Sequence, residues 1–149
     1  MSVYTATFEA TSISGAITIL QVTAASDAVV KVTGAWCTQS GSTTSATQRI
    51  QVLRKTGTAT GLTTVTARPV GIGEVAFGGS AGSAATGEGT DGVVLVAEAF
   101  NWLAGWRWTA ASDKEGLIVP PSGIIALKFP AAPGAAQSVT AGFVFEEIG

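Results

Sequence analysis

The feature that most limits this chain is a repeat of two. Apolar side chains recur at alternate positions through most of its 149 residues. In "AITILQVT" (16–23), Ile17 and Ile19 alternate with Thr18 and Leu20. In "VVKVTGAW" (29–36), Val30, Val32 and Trp36 fall on one face, and Lys31 and Thr33 on the other. "QRIQVLR" (48–54) sets Ile50 and Val52 against Arg49 and Gln51, while "SVTAGFVFE" (138–146) makes a row of Val139, Ala141, Phe143 and Phe145. Strand side chains alternate between faces, so this spacing predicts strands with one face on a core. The β-branched residues that fill them suit a pleated surface. Windows long enough for a helix are interrupted by glycine, threonine or proline. The expected fold is all-β: a single-domain antiparallel β-sandwich over residues 1–149, jelly-roll-like, with about eight to ten strands.

Two stretches depart from this pattern. "GIGEVAFGGSAGSAATGEGTDG" (71–92) has eight glycines in twenty-two residues and reads as a long surface loop, functional or mobile. "DGVVLVAEAF" (91–100) is apolar on both faces as far as Glu98. It reads as a central strand covered on both sides, with a neighbouring subunit as one possible cover.

Charged residues make up only 12 % of the chain, about half the usual ~25 %. A lone soluble domain needs a charged, patch-free surface. Scarce charge therefore predicts a surface covered by copies of the chain or by a partner. The eight basic residues are scattered among ten acids, for a net charge of −2. No basic stripe exists to neutralise phosphates, so nucleic acid is not an expected partner. The apolar runs fall far short of the roughly 20 residues of a spanning helix, so no membrane role is expected. The opening "MSVYTATFEA" lacks a basic stretch followed by an apolar one, and Cys37 is alone. Synthesis in a reducing cytoplasm fits both features, with Cys37 a small buried apolar residue.

Motifs for chemistry are thin. "GGSAG" (78–82) fits the G-x-S-x-G nucleophile elbow with Ser80 as nucleophile. The chain has no histidine to take the serine proton, and no helix pattern follows. Zinc chemistry lacks its ligands for the same reason. Glu88 with Asp91, or Asp113 with Glu115, offer oxygen ligands without calcium-loop spacing and read as solvated loop acids. Glu98, inside an apolar strand, reads as a hydrogen-bonded structural acid at an interface ahead of a catalytic carboxylate. No catalytic residue, cofactor or metal is expected.

"FNWLAGWRW" (100–108) holds three of the four tryptophans. On a strand, Trp106 and Trp108 point one way and Arg107 the other. Asn101 and Gly105 predict a turn that folds Trp102 back near Trp106. Three exposed indoles would make a platform for sugars or bases. Three buried ones would knit a core or a subunit seam, each burying on the order of 150–250 Å². The lack of a basic groove favours core or seam. Arg107 would then pair with an acid across the seam or cover an indole face.

The C-terminal half, "VLVAEAFNWLAGWRW", "EGLIVPPSGIIALKFPAAP" and "VTAGFVFEEIG", resembles small jelly-roll head proteins of tailed phages and prophages, of the decoration or cement type. The resemblance covers roughly residues 91–149 well, and the N-terminal half only through its strand pattern. It implies a homotrimer on the outer surface of the virion capsid. There it bridges subunits of the major capsid protein, after synthesis in the host cytoplasm. It implies no catalytic residues. The expected interface residues are Trp102, Trp106, Arg107, Trp108 and Glu98, with Tyr4 and Phe8 from an N-terminal stretch that is either an arm or a first strand. The alternative is a trimeric jelly-roll head of a phage fibre or spike that binds host glycans.

Overall fold

A computed structural model describes residues 1–149. Twelve antiparallel strands form two sheets of six. In chain order they are β1 (Ser2–Ile13), β2 (Thr18–Thr23), β3 (Val29–Ser40), β4 (Thr47–Gly57), β5 (Thr63–Val65), β6 (Arg68–Pro69), β7 (Ser80–Ser83), β8 (Thr90–Asn101), β9 (Trp106–Thr109), β10 (Leu117–Val119), β11 (Ile124–Lys128) and β12 (Gln137–Ile148). One 3₁₀ turn, Asp113–Glu115, is the only helical element. The strand count exceeds the expected eight to ten because β5, β6 and β10 are pieces of two or three residues.

The pairing is nested. β1 pairs with β12, β2 with β11, β3 with β9 and β10, and β4 with β8. A chain paired this way is one long hairpin, rolled so that successive strands alternate between two sheets. That topology is a jelly roll. The first sheet runs β10-β3-β12-β1-β6, with β9 also on β3; the second runs β5-β7-β2-β11-β4-β8. The tip of the hairpin lies between β4 and β8. It lays β6 along the edge of β1 and β7 along the edge of β2.

The core fills the space between the sheets. The predicted row Val139, Ala141, Phe143 and Phe145 points inward with no exposed area, and so do Ile50 and Val52. Tyr4 stacks on Phe145 (centroids 5.7 Å apart) and tilts against Phe77 (5.5 Å). Its hydroxyl donates to the Val75 carbonyl at 3.0 Å, so the buried ring keeps its polar tip satisfied.

Three expectations need correction. First, Trp36 does not share a face with Val30 and Val32. The register of β3 against β12 shifts between Val144 and Phe145, where Gly34 and then Val32 are the partners. The extra residue at Thr33 is a β-bulge, and it inverts the alternation after it. Ala35 and Cys37 therefore enter the core, and Trp36 turns to the outer face. Second, residues 71–92 are not one loop, because β7 lies in their middle and β8 begins at Thr90. Third, β8 is an edge strand, paired only with β4. A two-faced apolar pattern does not distinguish a strand buried inside its own chain from one left at an edge.

Candidate functional site

The tryptophan stretch is built by a turn. Asn101 Oδ1 accepts from the Leu103 N–H at 2.9 Å, and the Asn101 carbonyl accepts from Ala104 and Gly105. Gly105 takes a positive φ of 71°, a conformation that favours glycine. β9 then runs beside β3, with Trp106 opposite Cys37, Arg107 opposite Trp36 and Trp108 opposite Ala35. Trp106 and Trp108 face inward and Arg107 outward, as the alternation predicts.

Most of the expected interface residues are spent inside the sandwich. Trp102 is 2 % exposed and meets Phe100 and Phe129 edge to face, at 5.0 and 5.5 Å. Tyr4 and Phe8 are buried as well. β1 is a sheet strand along β12, so the arm reading of "MSVYTATFEA" gives way. Trp106 is 7 % exposed, and its indole N–H donates to the Glu98 carboxylate on β8. That bond ties the two sheets together at their open side. Trp108 is half-buried, and Arg107 and Glu98 are exposed. Of the seven expected residues, these three alone offer appreciable surface to a partner.

The outward indole belongs to Trp36, which the expected interface omits. A Cβ on Gly142 would lie 2.2, 2.5 and 2.7 Å from Cζ2, Cη2 and Cε2 of Trp36. Three ring atoms that close mean the face of the indole covers the glycine. The Arg107 guanidinium carbon stands 6.0 Å from the ring centroid, at the outer limit of a cation–π contact. Trp36 and Arg107 line a groove of about 370 Å³ with Thr33, Thr109, Ser112 and Asp113. The signal that locates this indole is Gly34, since a glycine inside a strand pattern marks a possible bulge.

A second feature lies on the outer face of the other sheet. The Lys55 side chain is wholly buried there, and its ammonium donates to the Glu88 carbonyl at 2.6 Å and to Asp91 Oδ1 at 2.7 Å. Lys128 reaches Asp91 Oδ2 at 2.6 Å and Glu88 Oε2 at 3.1 Å. Glu88 also accepts from the Thr18 N–H at 2.7 Å and hydroxyl at 3.0 Å. Burial pushes both carboxyls up in pKa, but the bonds they accept outweigh it. Thr18 and Lys128 hold Glu88 below the ordinary carboxylate range, and Lys128 and Lys55 hold Asp91 below it. Lys128 is raised despite its own partial burial, by Asp91 and Glu88. Glu88 and Asp91 are therefore structural ion-pair partners, where solvated loop acids were expected. Gln21 adds to the same clasp, its amide bonding Thr58 and the Ala59 N–H.

The third feature is β8 itself. Val93 is 63 % exposed and Val94 43 %, with Ala97 and Ala99 also exposed. Leu95 and Val96 pack partly against the core. The outer hydrogen-bonding edge of this twelve-residue strand has no partner within the chain.

Ser80 lies in β7 opposite Thr23, with no helix after it, so the nucleophile-elbow setting is not met. No three Asp, Glu, Cys or His side chains gather closely enough to hold a metal ion. No protein family, curated protein or solved structure matches this chain.

Proposed function

We propose that this chain is a structural virion protein: a decoration, or cement, protein that trimerises on the outer surface of a phage head and bridges subunits of the major capsid protein. The observation that carries the reading is the open edge of β8. Val93, Val94, Ala97 and Ala99 are exposed, and its backbone is unpaired along one side. A long, apolar edge is a template for association, and solitary proteins blunt such edges with lysine, proline or a covering loop. With only 12 % charged residues, the rest of the surface also favours contact over solvation. Cement acts by adding contacts that capsid opening must break, and its binding to the intact form stabilises that form by mass action.

The test compares heads with and without the protein under heat or low salt, scoring DNA release. Bare heads are expected to leak at lower temperature, and purified protein to restore them. Light scattering on the free protein is expected to give about three chain masses, as closed symmetric oligomers do. A monomer at micromolar concentration that neither binds nor protects heads overturns the reading. The glycan-binding head of a fibre or spike is the second reading. Of the three clustered indoles that would form its platform, Trp102 and Trp106 are buried.

A further inference from the structure

We propose that the outer face of the first sheet carries a saccharide site built on Trp36 and Arg107, for a pyranose ring bearing a carboxylate. The inference goes beyond the decoration reading and does not depend on it, since it concerns a different face of the molecule from β8.

Three observations converge on this groove. The indole of Trp36 is laid down over Gly142, a position where any Cβ would collide with it. One ring face therefore rests on the sheet, and the ring lines the groove together with Arg107, whose guanidinium carbon stands 6.0 Å from the ring centroid. A flat apolar surface of this kind matches the C–H face of a pyranose, whose axial hydrogens form a similarly flat apolar patch. The second observation is Arg107. It is exposed and makes no ion pair; the five salt-bridge contacts of the chain all belong to Lys31, Lys55 and Lys128. A guanidinium without an ion-pair partner beside an indole is suited to bidentate recognition of a carboxylate.

The third observation is the wall. β9 and β10 run along the same edge of β3, and the segment between them contributes Ser112 and Asp113 to the groove. Thr33 and Thr109 line the same groove. Hydroxyls both donate and accept, and a carboxylate accepts from sugar hydroxyls. The volume of about 370 Å³ falls at the small end of ligand sites, which run from roughly 300 to 1,000 Å³. Single-stranded nucleic acid fits less well. It needs a track of cations along its phosphates, and here one arginine shares the groove with Asp113.

The test titrates the purified chain with a tetrasaccharide of glucuronic acid. A neutral glucose tetrasaccharide of equal length is the control. Binding is followed through the indole N–H signals in two-dimensional NMR, with Trp36→Ala identifying the Trp36 signal. The expected result is that this signal moves with the acidic sugar, saturating in the millimolar range, and that the neutral sugar binds about tenfold more weakly. Arg107→Gln, an exposed position that does not threaten the fold, is expected to abolish the preference while leaving weak binding of both sugars. Trp36→Ala is expected to abolish binding of both. A Trp36 signal that stays still at ~10 mM of either sugar overturns the proposal. So does equal affinity for the two sugars, or an Arg107→Gln chain that keeps the wild-type preference.

Discussion

Gly142 decides where Trp36 can lie. An alanine there would put a methyl group within 2.7 Å of three indole atoms, so the ring must swing off the sheet. Gly142→Ala is expected to cost about 1–3 kcal/mol, the usual range for overpacking. Urea unfolding checks the loss, and a shifted tryptophan emission maximum checks the displaced ring. Trp102, packed edge to face between Phe100 and Phe129, is a different kind of residue. Trp102→Ala is expected to cost roughly 3–5 kcal/mol by opening a core cavity, whereas exposed Arg107→Ala should stay within about 0.5 kcal/mol. Cys37 is chemically quiet for a physical reason. Burial disfavours the thiolate and pushes its pKa up to about 12, so at pH 8 the nucleophilic form is absent. An aromatic disulfide reagent is expected to leave the native protein unlabelled at pH 8 and to label it fully in guanidinium. Rapid labelling of the native chain would contradict this burial.

The connection between β4 and β8 is held down by charge. Glu88 and Asp91 sit at its end, and Lys55 and Lys128 rise to them from β4 and β11. The folded pKa of each carboxyl lies below its unfolded value. Their contribution is therefore complete above the unfolded value, roughly pH 4, and is lost as pH falls through the folded one. Lys128 is shifted up, so its contribution is complete below the unfolded lysine value of about 10.4 and is lost as pH rises through the folded one. The cluster therefore predicts level stability from about pH 5 to 9, with losses outside that window. Glu88→Gln should lower the urea midpoint at pH 7, and its gap from wild type should narrow as the pH is lowered to 3. A gap of equal size at both pH values would show that the charge of Glu88 contributes nothing. Lys55→Met, which removes a fully buried ammonium, is expected to cost about 1–3 kcal/mol. That lies at or below the low end for breaking a buried pair, because Asp91 is partly exposed and keeps Lys128.

At the scale of the whole molecule, the open side of the roll is the consequential feature. There the edge of β8 faces solvent, and two side-chain links join the sheets: the Trp106 indole to Glu98, and the Arg54 guanidinium to the Ile118 carbonyl on β10. A lysine on an edge strand is a device proteins use against edge-to-edge pairing. Val94 is 43 % exposed, so Val94→Lys should cost the fold little. If the β8 edge makes the trimer, this variant is expected to sediment as a monomer with an unchanged β-type circular dichroism spectrum, beside a trimeric wild type. A Val94→Lys chain that stays trimeric would move the interface elsewhere.

Alternation and turn chemistry alone specify the strands, the absence of helices and the inward rows of β4, β9 and β12, because a period of two leaves each side chain only two faces to choose between. The sequence also specifies the poverty of charge and the lack of histidine, which remove whole classes of chemistry before any fold is known. Tertiary structure decides everything that depends on phase or on neighbours. One extra residue at Thr33 inverts β3 and sends Trp36 outward, and no count of apolar positions shows which side of a bulge continues the pattern. The edge position of β8 and the meeting of Glu88 and Asp91 with Lys55 and Lys128 also depend on it, because strands distant in sequence become neighbours only when the hairpin rolls. Sequence alternation records that a face is apolar; only the folded chain determines whether that face meets its own core or is left for another molecule.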